Sequence, residues 1–151
     1  MRLVTIRSEL LSAYAMDPEV LQKTGRPYVA VMNLRYKGKR HLFAVPLRSN
    51  IAGNAPKNQY FPLPTRSATR DGRRHGIHYI KMFPVRKSDL IRYRVDGNES
   101  AILVQDVIER NSSDIILQCQ NYLTAYETGN HPLFSTDIDL LLHILGNIAE
   151  I

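Results

Sequence analysis

Sixty residues, Arg35 to Arg94, gather most of the side chains in this 151-residue chain that can handle a phosphodiester. The segment holds fifteen Lys and Arg against two acids, Asp71 and Asp89, a net charge of +13. The remainder has five basic and twelve acidic residues, a net charge of −7. A positive field so concentrated favours a polyanion through counterion release and electrostatic steering. Tyr36, Ser49, Tyr60, His75, His78, Tyr79 and Tyr93 lie among the cations. RNA carries its own nucleophile, the 2′-hydroxyl beside each phosphate. Cleaving it needs only a base, an acid, and cations or donors that hold the transition state. These residue types supply all three, and they equally suit a protein that binds nucleic acid without cutting it. A solvated basic face is the plainest alternative.

Other chemistries lack their residues. There is no Walker loop, dinucleotide fingerprint or HExxH. His75 and His78 form an HxxH pair without the further Cys or carboxylate ligands of a metal site. Asp137 and Asp139 stand at a helix start, where the helix dipole accounts for them. The expectation is a protein with no metal and no cofactor. Cys119, the single cysteine, makes no intramolecular disulfide and fits a reducing compartment. No uncharged apolar stretch approaches the roughly 18 residues of a membrane span. Arg2, Arg7 and Glu9 occupy the place of a signal-peptide apolar core. With 44% apolar and 23% charged residues, one cytoplasmic domain over residues 1–151 is expected.

The elements that must position the basic residues follow from periodicity. Residues 2–7 alternate as a short strand, and Ser8 caps a short helix that runs to Met16. Two apolar runs, 27–36 and 41–47, flank Lys37-Gly38-Lys39 and predict a hairpin. Both are apolar at nearly every position, which places the hairpin centrally with both faces covered. Residues 48–76 are irregular, with a short strand at 59–63; so long a connection is more often functional than structural. Residues 77–85 predict one continuous strand and 89–95 another. Helices are predicted over 98–110, 114–128 and 138–148, the last striped by Ile138, Leu141, Leu142, Leu145 and Ile148. The plan is α+β, with strands first and helices last.

Strand alternation over 77–85 sends His78 and Lys81 to opposite faces. His78 then lies with Ile80 and Met82 and reads as structural, so Lys81 is favoured for a site, with His75 as a loop acid in reserve. Tyr36, Tyr60 and Tyr93 are the candidates for stacking on unpaired bases. The Ser- and Gly-rich stretch 65–75 is expected to be mobile alone. Arg66, Arg70, Arg73, Arg74 and His75 would then order on RNA phosphates.

Three segments carry a resemblance: Arg26-Pro27-Tyr28-Val29-Ala30-Val31, Phe43-Ala44-Val45-Pro46-Leu47-Arg48-Ser49, and His78-Tyr79-Ile80-Lys81-Met82-Phe83-Pro84-Val85. In this order and spacing, followed by Glu109-Arg110-Asn111-Ser112, they resemble the ToxN/AbiQ family of type III toxin–antitoxin toxins. Pro46-Leu47-Arg48-Ser49-Asn50 is most similar to its CptN and TenpN branches. The resemblance spans residues 26–126 and implies a twisted, mostly antiparallel sheet similar to that of MazF and Kid, with peripheral and C-terminal helices. It implies a metal-independent, sequence-selective endoribonuclease that leaves 2′,3′-cyclic phosphate and 5′-hydroxyl ends on cellular or phage mRNA. It also implies an antitoxin RNA, a repeat pseudoknot that the toxin processes and that silences it in a closed assembly, as used in phage defence by abortive infection.

On the same resemblance Ser49 aligns or donates to the scissile phosphate, Arg48 clamps it, and Arg26 binds it or steadies the leaving group. Lys57 takes the place of a family lysine, although Asn50-Ile51-Ala52-Gly53 intervenes. Desolvated among arginines it would have a lowered pKa and serve as base; otherwise it touches RNA backbone. Further RNA contacts are expected from Tyr28, Tyr36, Lys37, Lys39 and Arg40, and from Asn50, Tyr60, His78 and Tyr79. Two alternatives stay open: a non-catalytic RNA- or DNA-binding protein, and a MazF-like ribonuclease with a protein antitoxin.

Overall fold

The computed structural model describes residues 1–148. In chain order these form β1 (Leu3–Ile6), α1 (Ser8–Ala13), β2 (Tyr28–Tyr36), β3 (Lys39–Ile51), β4 (Tyr60–Leu63) and β5 (Arg74–His78). Then follow β6 (Phe83–Val85), β7 (Leu90–Arg92), α2 (Glu99–Arg110), α3 (Ser112–Glu127) and α4 (Ile138–Asn147). The strands make one sheet in the order β4-β5-β3-β2-β1-β7, with β6 also paired to β3. All of the pairings are antiparallel. The class is therefore α+β.

The hairpin of β2 and β3 is the centre, and its turn explains itself. Lys37 and Gly38 both have positive φ, 51° and 78°, which is the two-residue turn whose twist matches the strands it joins. Alternation along β3 splits the core. Phe43, Val45 and Leu47 face one cluster with Val104, Ile108, Ile115, Cys119 and Leu123 of α2 and α3. Leu42 and Ala44 face the other, with Leu10, Tyr14, Phe83 and Leu141 around α1 and α4. The α4 stripe packs as the sequence predicts, with Ile138 and Leu141 fully buried.

The expected strand over 77–85 is broken, and the pairing says why. β5 and β6 both pair with β3, Leu47 opposite Ile77 and Ala44 opposite Phe83. Six steps of chain therefore run against three, and the surplus folds into a 3₁₀ turn, Tyr79–Lys81. That turn takes Lys81 away from the site expected for it. Its ammonium is buried and donates to Glu19 Oε1 and to the Phe134 carbonyl, both at 2.7 Å. Lys81 is thus a tie between three loops, because burial without those partners would be prohibitive. Two boundaries also differ. Ser8 is the first residue of α1 and Arg7 the cap, with no side-chain capping bond. β7 covers only three residues of the longer strand expected.

Gly76 sits where β3, β4 and β5 come closest. A Cβ there would stand 2.6 Å from the Phe61 carbonyl oxygen and 3.0 Å from the Tyr60 ring. Gly76→Ala is expected to destabilise the fold by about 1–3 kcal/mol, the usual cost of overpacking. Urea denaturation checks this; an unchanged midpoint would show that β4 moves aside freely.

Candidate nucleic-acid site

Register places the polar end of the sheet. Tyr28 lies opposite Pro46 and Tyr60 opposite His78, while Arg48 and Pro62 flank Gly76. Alternation therefore puts Arg48 and His78 on the face that Leu42 and Ala44 occupy further along β3. Toward β5 this face changes from apolar to charged. Arg26, just before β2, joins it by donating from Nη1 to the Leu47 carbonyl at 3.1 Å.

Arg48 Nη1 lies 3.3 Å from His78 Nδ1. A guanidinium only donates, so Nδ1 accepts and the neutral ring carries its proton on Nε2. Burial first, then the charges of Arg48 and Lys81, push the His78 pKa down from 6.5 to about 3. His75 is the opposite tautomer: its Nδ1 donates to the Pro64 carbonyl at 2.7 Å, since a carbonyl only accepts. It is buried, with its pKa lowered chiefly by desolvation, and faces the α2 side with Arg66, away from His78. A loop acid it is not.

Ser49 follows Arg48 at a bulge, where the β3–β5 register shifts between Arg48 and Ile51. Its Oγ accepts from Arg66 Nη1 at 3.3 Å. Asn50 then holds the loop on β3 from both sides of its amide: Nδ2 donates to Ala68 O at 3.0 Å and Oδ1 accepts from Arg70 N at 2.8 Å. Stretch 65–75 is accordingly held by its own contacts, Arg66 N to Thr69 Oγ1 and Arg73 N to Arg70 O among them. That differs from the expectation of a loop ordered only by RNA. The signal was Asn50, an amide able to imitate a strand neighbour.

Two guanidinium groups, of Arg26 and Arg48, thus stand together at the end of β3, and a third, of Arg66, reaches Ser49 from the α2 side. Among the described residues no carboxylate forms an ion pair with any of them. Burial lowers the pKa of Arg26 and of Arg48, and the Arg26 charge lowers Arg48 further. Arg26 Nε and the Tyr28 hydroxyl are buried without a hydrogen-bond partner. Like charges packed together with unspent donors make a cradle for an anion, and a phosphate fits its chemistry.

The expected stacking residues are elsewhere. Tyr28, Tyr36, Tyr60 and Tyr79 are buried, so their ring faces serve the core. Tyr28 packs edge-on against Phe83, and Tyr36 donates to Asp139 Oδ1 at 2.9 Å. Tyr93 is half-buried against the α2 cluster. Lys37 pairs with Asp139 at 2.9 Å, at the hairpin tip with exposed Lys39 and Arg40. Arg70, Arg73 and Arg74 are exposed on the loop and the start of β5. Lys57 is exposed too, at the mouth of a cleft against α3, without the burial expected of a base. Among the described residues no three of His, Cys, Asp or Glu come together as a metal site, and no helix is long and apolar enough to cross a membrane.

Solved structures share this fold across the chain. AbiQ, a lactococcal anti-phage endoribonuclease of a type III toxin–antitoxin system, matches with a TM-score of 0.71 at 16% identity, over 96% of this chain and 95% of that one. A chain from a bacterial antiviral system regulated by a processed non-coding RNA matches at 0.75 and 15% identity, over 99% of both. A third, from type III toxin–antitoxin systems in which a non-coding RNA pseudoknot selectively inhibits the toxin, matches at 0.71 and 18% identity, over 96% and 95%. The architecture, a seven-stranded antiparallel sheet with helices on both faces, is therefore the ToxN/AbiQ fold. No family model and no curated protein matches by sequence.

The His78 environment sets a pH dependence. Between pH 6.5 and about 3 the unfolded chain binds a proton that the folded ring refuses. The resulting stability is complete above pH 6.5 and is lost as pH falls, by up to about 1.4 kcal/mol per pH unit. His78→Gln keeps an acceptor for Arg48 and is expected to flatten that loss. Denaturation midpoints from pH 7 to 4 test it; equal slopes in both proteins would assign the effect to other groups.

Proposed function

We propose that the protein is an endoribonuclease toxin of a type III toxin–antitoxin system, cleaving RNA without a metal and inhibited by a structured antitoxin RNA. The observation that carries this reading is the pair of half-buried guanidinium groups, Arg26 and Arg48, beside Ser49 at the end of β3, with no ion-paired carboxylate among the described residues. Its support from outside the chain is the fold shared with AbiQ and with the toxin that an RNA pseudoknot inhibits.

In this reading a scissile phosphate enters between the guanidinium groups, and Arg48 binds its non-bridging oxygens through a planar fork. Ser49 donates its hydroxyl to the same phosphate once Arg66 turns from Oγ to the RNA. Ser49 is no covalent nucleophile, because no His–acid pair stands beside it. The 2′-oxygen bonds to phosphorus as its proton departs. The bond from phosphorus to the 5′-oxygen breaks, and that oxygen takes up a proton. No water is consumed, and the products are a 2′,3′-cyclic phosphate and a 5′-hydroxyl. Neutral His78 positions Arg48, as a charged ring at that distance would repel it. The exposed arginines of 66–74 track the backbone of antitoxin and substrate alike, in a cytoplasmic protein whose targets are cellular or phage mRNA.

The test is incubation of the purified chain with labelled RNA in EDTA, followed by analysis of the new ends. Cyclic-phosphate ends are expected, abolished by Ser49→Ala with RNA affinity retained. Arg48→Ala is expected to cut the rate by roughly 100-fold, as loss of one transition-state donor does. Intact RNA under tight, salt-sensitive binding would make the basic face a binding platform alone.

A further inference from the structure

A donor and an acceptor lie unused within the cationic pair's own face of the sheet. Arg26 Nε and the Tyr28 hydroxyl are both buried, and neither has a hydrogen-bond partner among the described residues. Buried polar groups are nearly always paired, so two orphans this close together ask for a cause. Arg26 and Tyr28 are two residues apart and share a face. Carried two residues past Tyr28 and Pro46, the β2–β3 register sets Arg26 opposite Arg48. The two side chains also lie in each other's field. Burial raises the Tyr28 pKa to about 12 against the opposing pull of the Arg26 charge, so the phenol stays neutral with its lone pairs available.

A proline explains where Arg26 rests. Leu47 N donates to the Pro27 carbonyl at 3.0 Å, one bond of a ladder pair. The return bond is missing, because Pro27 has no N–H. Arg26 Nη1 fills the gap by donating to the Leu47 carbonyl at 3.1 Å. The guanidinium thus stands in for a backbone donor. A phosphate that takes both Nη groups as a fork must draw Nη1 off that carbonyl. One hydrogen bond is lost, and Nε is the donor left to replace it.

We propose that Tyr28 is a positioning residue for Arg26: in the phosphate-bound protein Nε donates to the Tyr28 hydroxyl oxygen, which fixes the turned guanidinium with both Nη groups on the anion. Arg26 then has two resting places on one backbone, the Leu47 carbonyl without a phosphate and the Tyr28 hydroxyl with one. The Tyr28 ring, held edge-on by Phe83, stays where it is. Lysine cannot replace the arginine in this arrangement, because it has a single point charge and no Nε–H beside a fork.

This role rests on the reading of the cluster as an RNA-phosphate site, and the experiment separates the two. A fluorescein-labelled 2′-O-methyl hexauridylate, which lacks the nucleophile and is not cut, is titrated by anisotropy into the full chain. The same titration is made with Tyr28→Phe, Arg26→Lys and the double variant. Tyr28→Phe is expected to weaken binding by roughly tenfold, the scale of one hydrogen bond to a charged group, and to cost nothing further in the Arg26→Lys background. Its urea midpoint is expected to hold or rise, because the ring packing stays and an unpaired buried hydroxyl goes. A loss of the same size in both backgrounds, no loss in either, or a lowered midpoint overturns the role of Tyr28 and leaves the RNA reading standing. The expected coupling in a chain that leaves RNA intact in EDTA overturns the nuclease reading alone. No binding by the wild type overturns both.

Discussion

Three of the sheet's six strand pairings, those with β2, β5 and β6, run through the backbone of β3. Its thirteen residues have one N–H and one C=O apiece, and both edges must be satisfied inside the protein. β2 takes one edge along nearly its whole length, and β6 and β5 share the other. Because two strands divide that edge, the chain between them must gain surplus length, and the turn 79–81 is where it goes. The same division leaves the last residues of β3, Arg48 to Ile51, bulged. Pairing thus dictates where the sheet's regular alternation stops, and Arg48, Ser49 and His78 stand at that stop.

The charged cluster works against the fold that holds it. Arg26 and Arg48 lose hydration by burial and repel one another, and among the described residues no carboxylate is paired with either. A protein selected for stability alone would neutralise such a pair. Here the surrounding sheet over-determines their positions: Arg26 is bonded to a strand carbonyl and Arg48 to a histidine kept neutral by the same burial. Stability supplied by the two apolar clusters offsets the repulsion, which an incoming phosphate would relieve. Strain of this kind at a site is the usual mark of pre-organisation for a ligand.

Much of this architecture is legible in the chain itself. The hairpin follows from two apolar runs about Lys37-Gly38, and the three long helices from stripes such as Ile115, Cys119, Tyr122 and Leu123. Residues 26, 48 and 49 stand out as motif residues, and the structure sets them side by side. The break at 79–81 is hidden, because an apolar run reads alike whether it is one strand or two with a buried turn. Lys81 misleads for that reason: its partners, Glu19 and Phe134, are 62 and 53 residues away in sequence. Tyrosines mislead differently. A phenol ring is apolar enough to fill a core, so Tyr28, Tyr36 and Tyr79 among cations look like a surface and are packed inside.

Several of the ties that fix the turn 79–81 come from late in the chain. Phe134 holds Lys81, Thr136 N donates to Ile80 O, Thr136 Oγ1 donates to Met82 O, and Asp137 N donates to Asp17. A growing polypeptide that has made only its first 130 residues has both halves of the basic face but holds the turn behind His78 only through Glu19 and Gln118. The contacts are long-range, and such closures come last and slowly. Synthesis therefore carries its own delay: a partly made chain holds its arginines on an unfinished scaffold. The turn behind His78 is fully tied only once residues 134–137, at the threshold of α4, have docked on it.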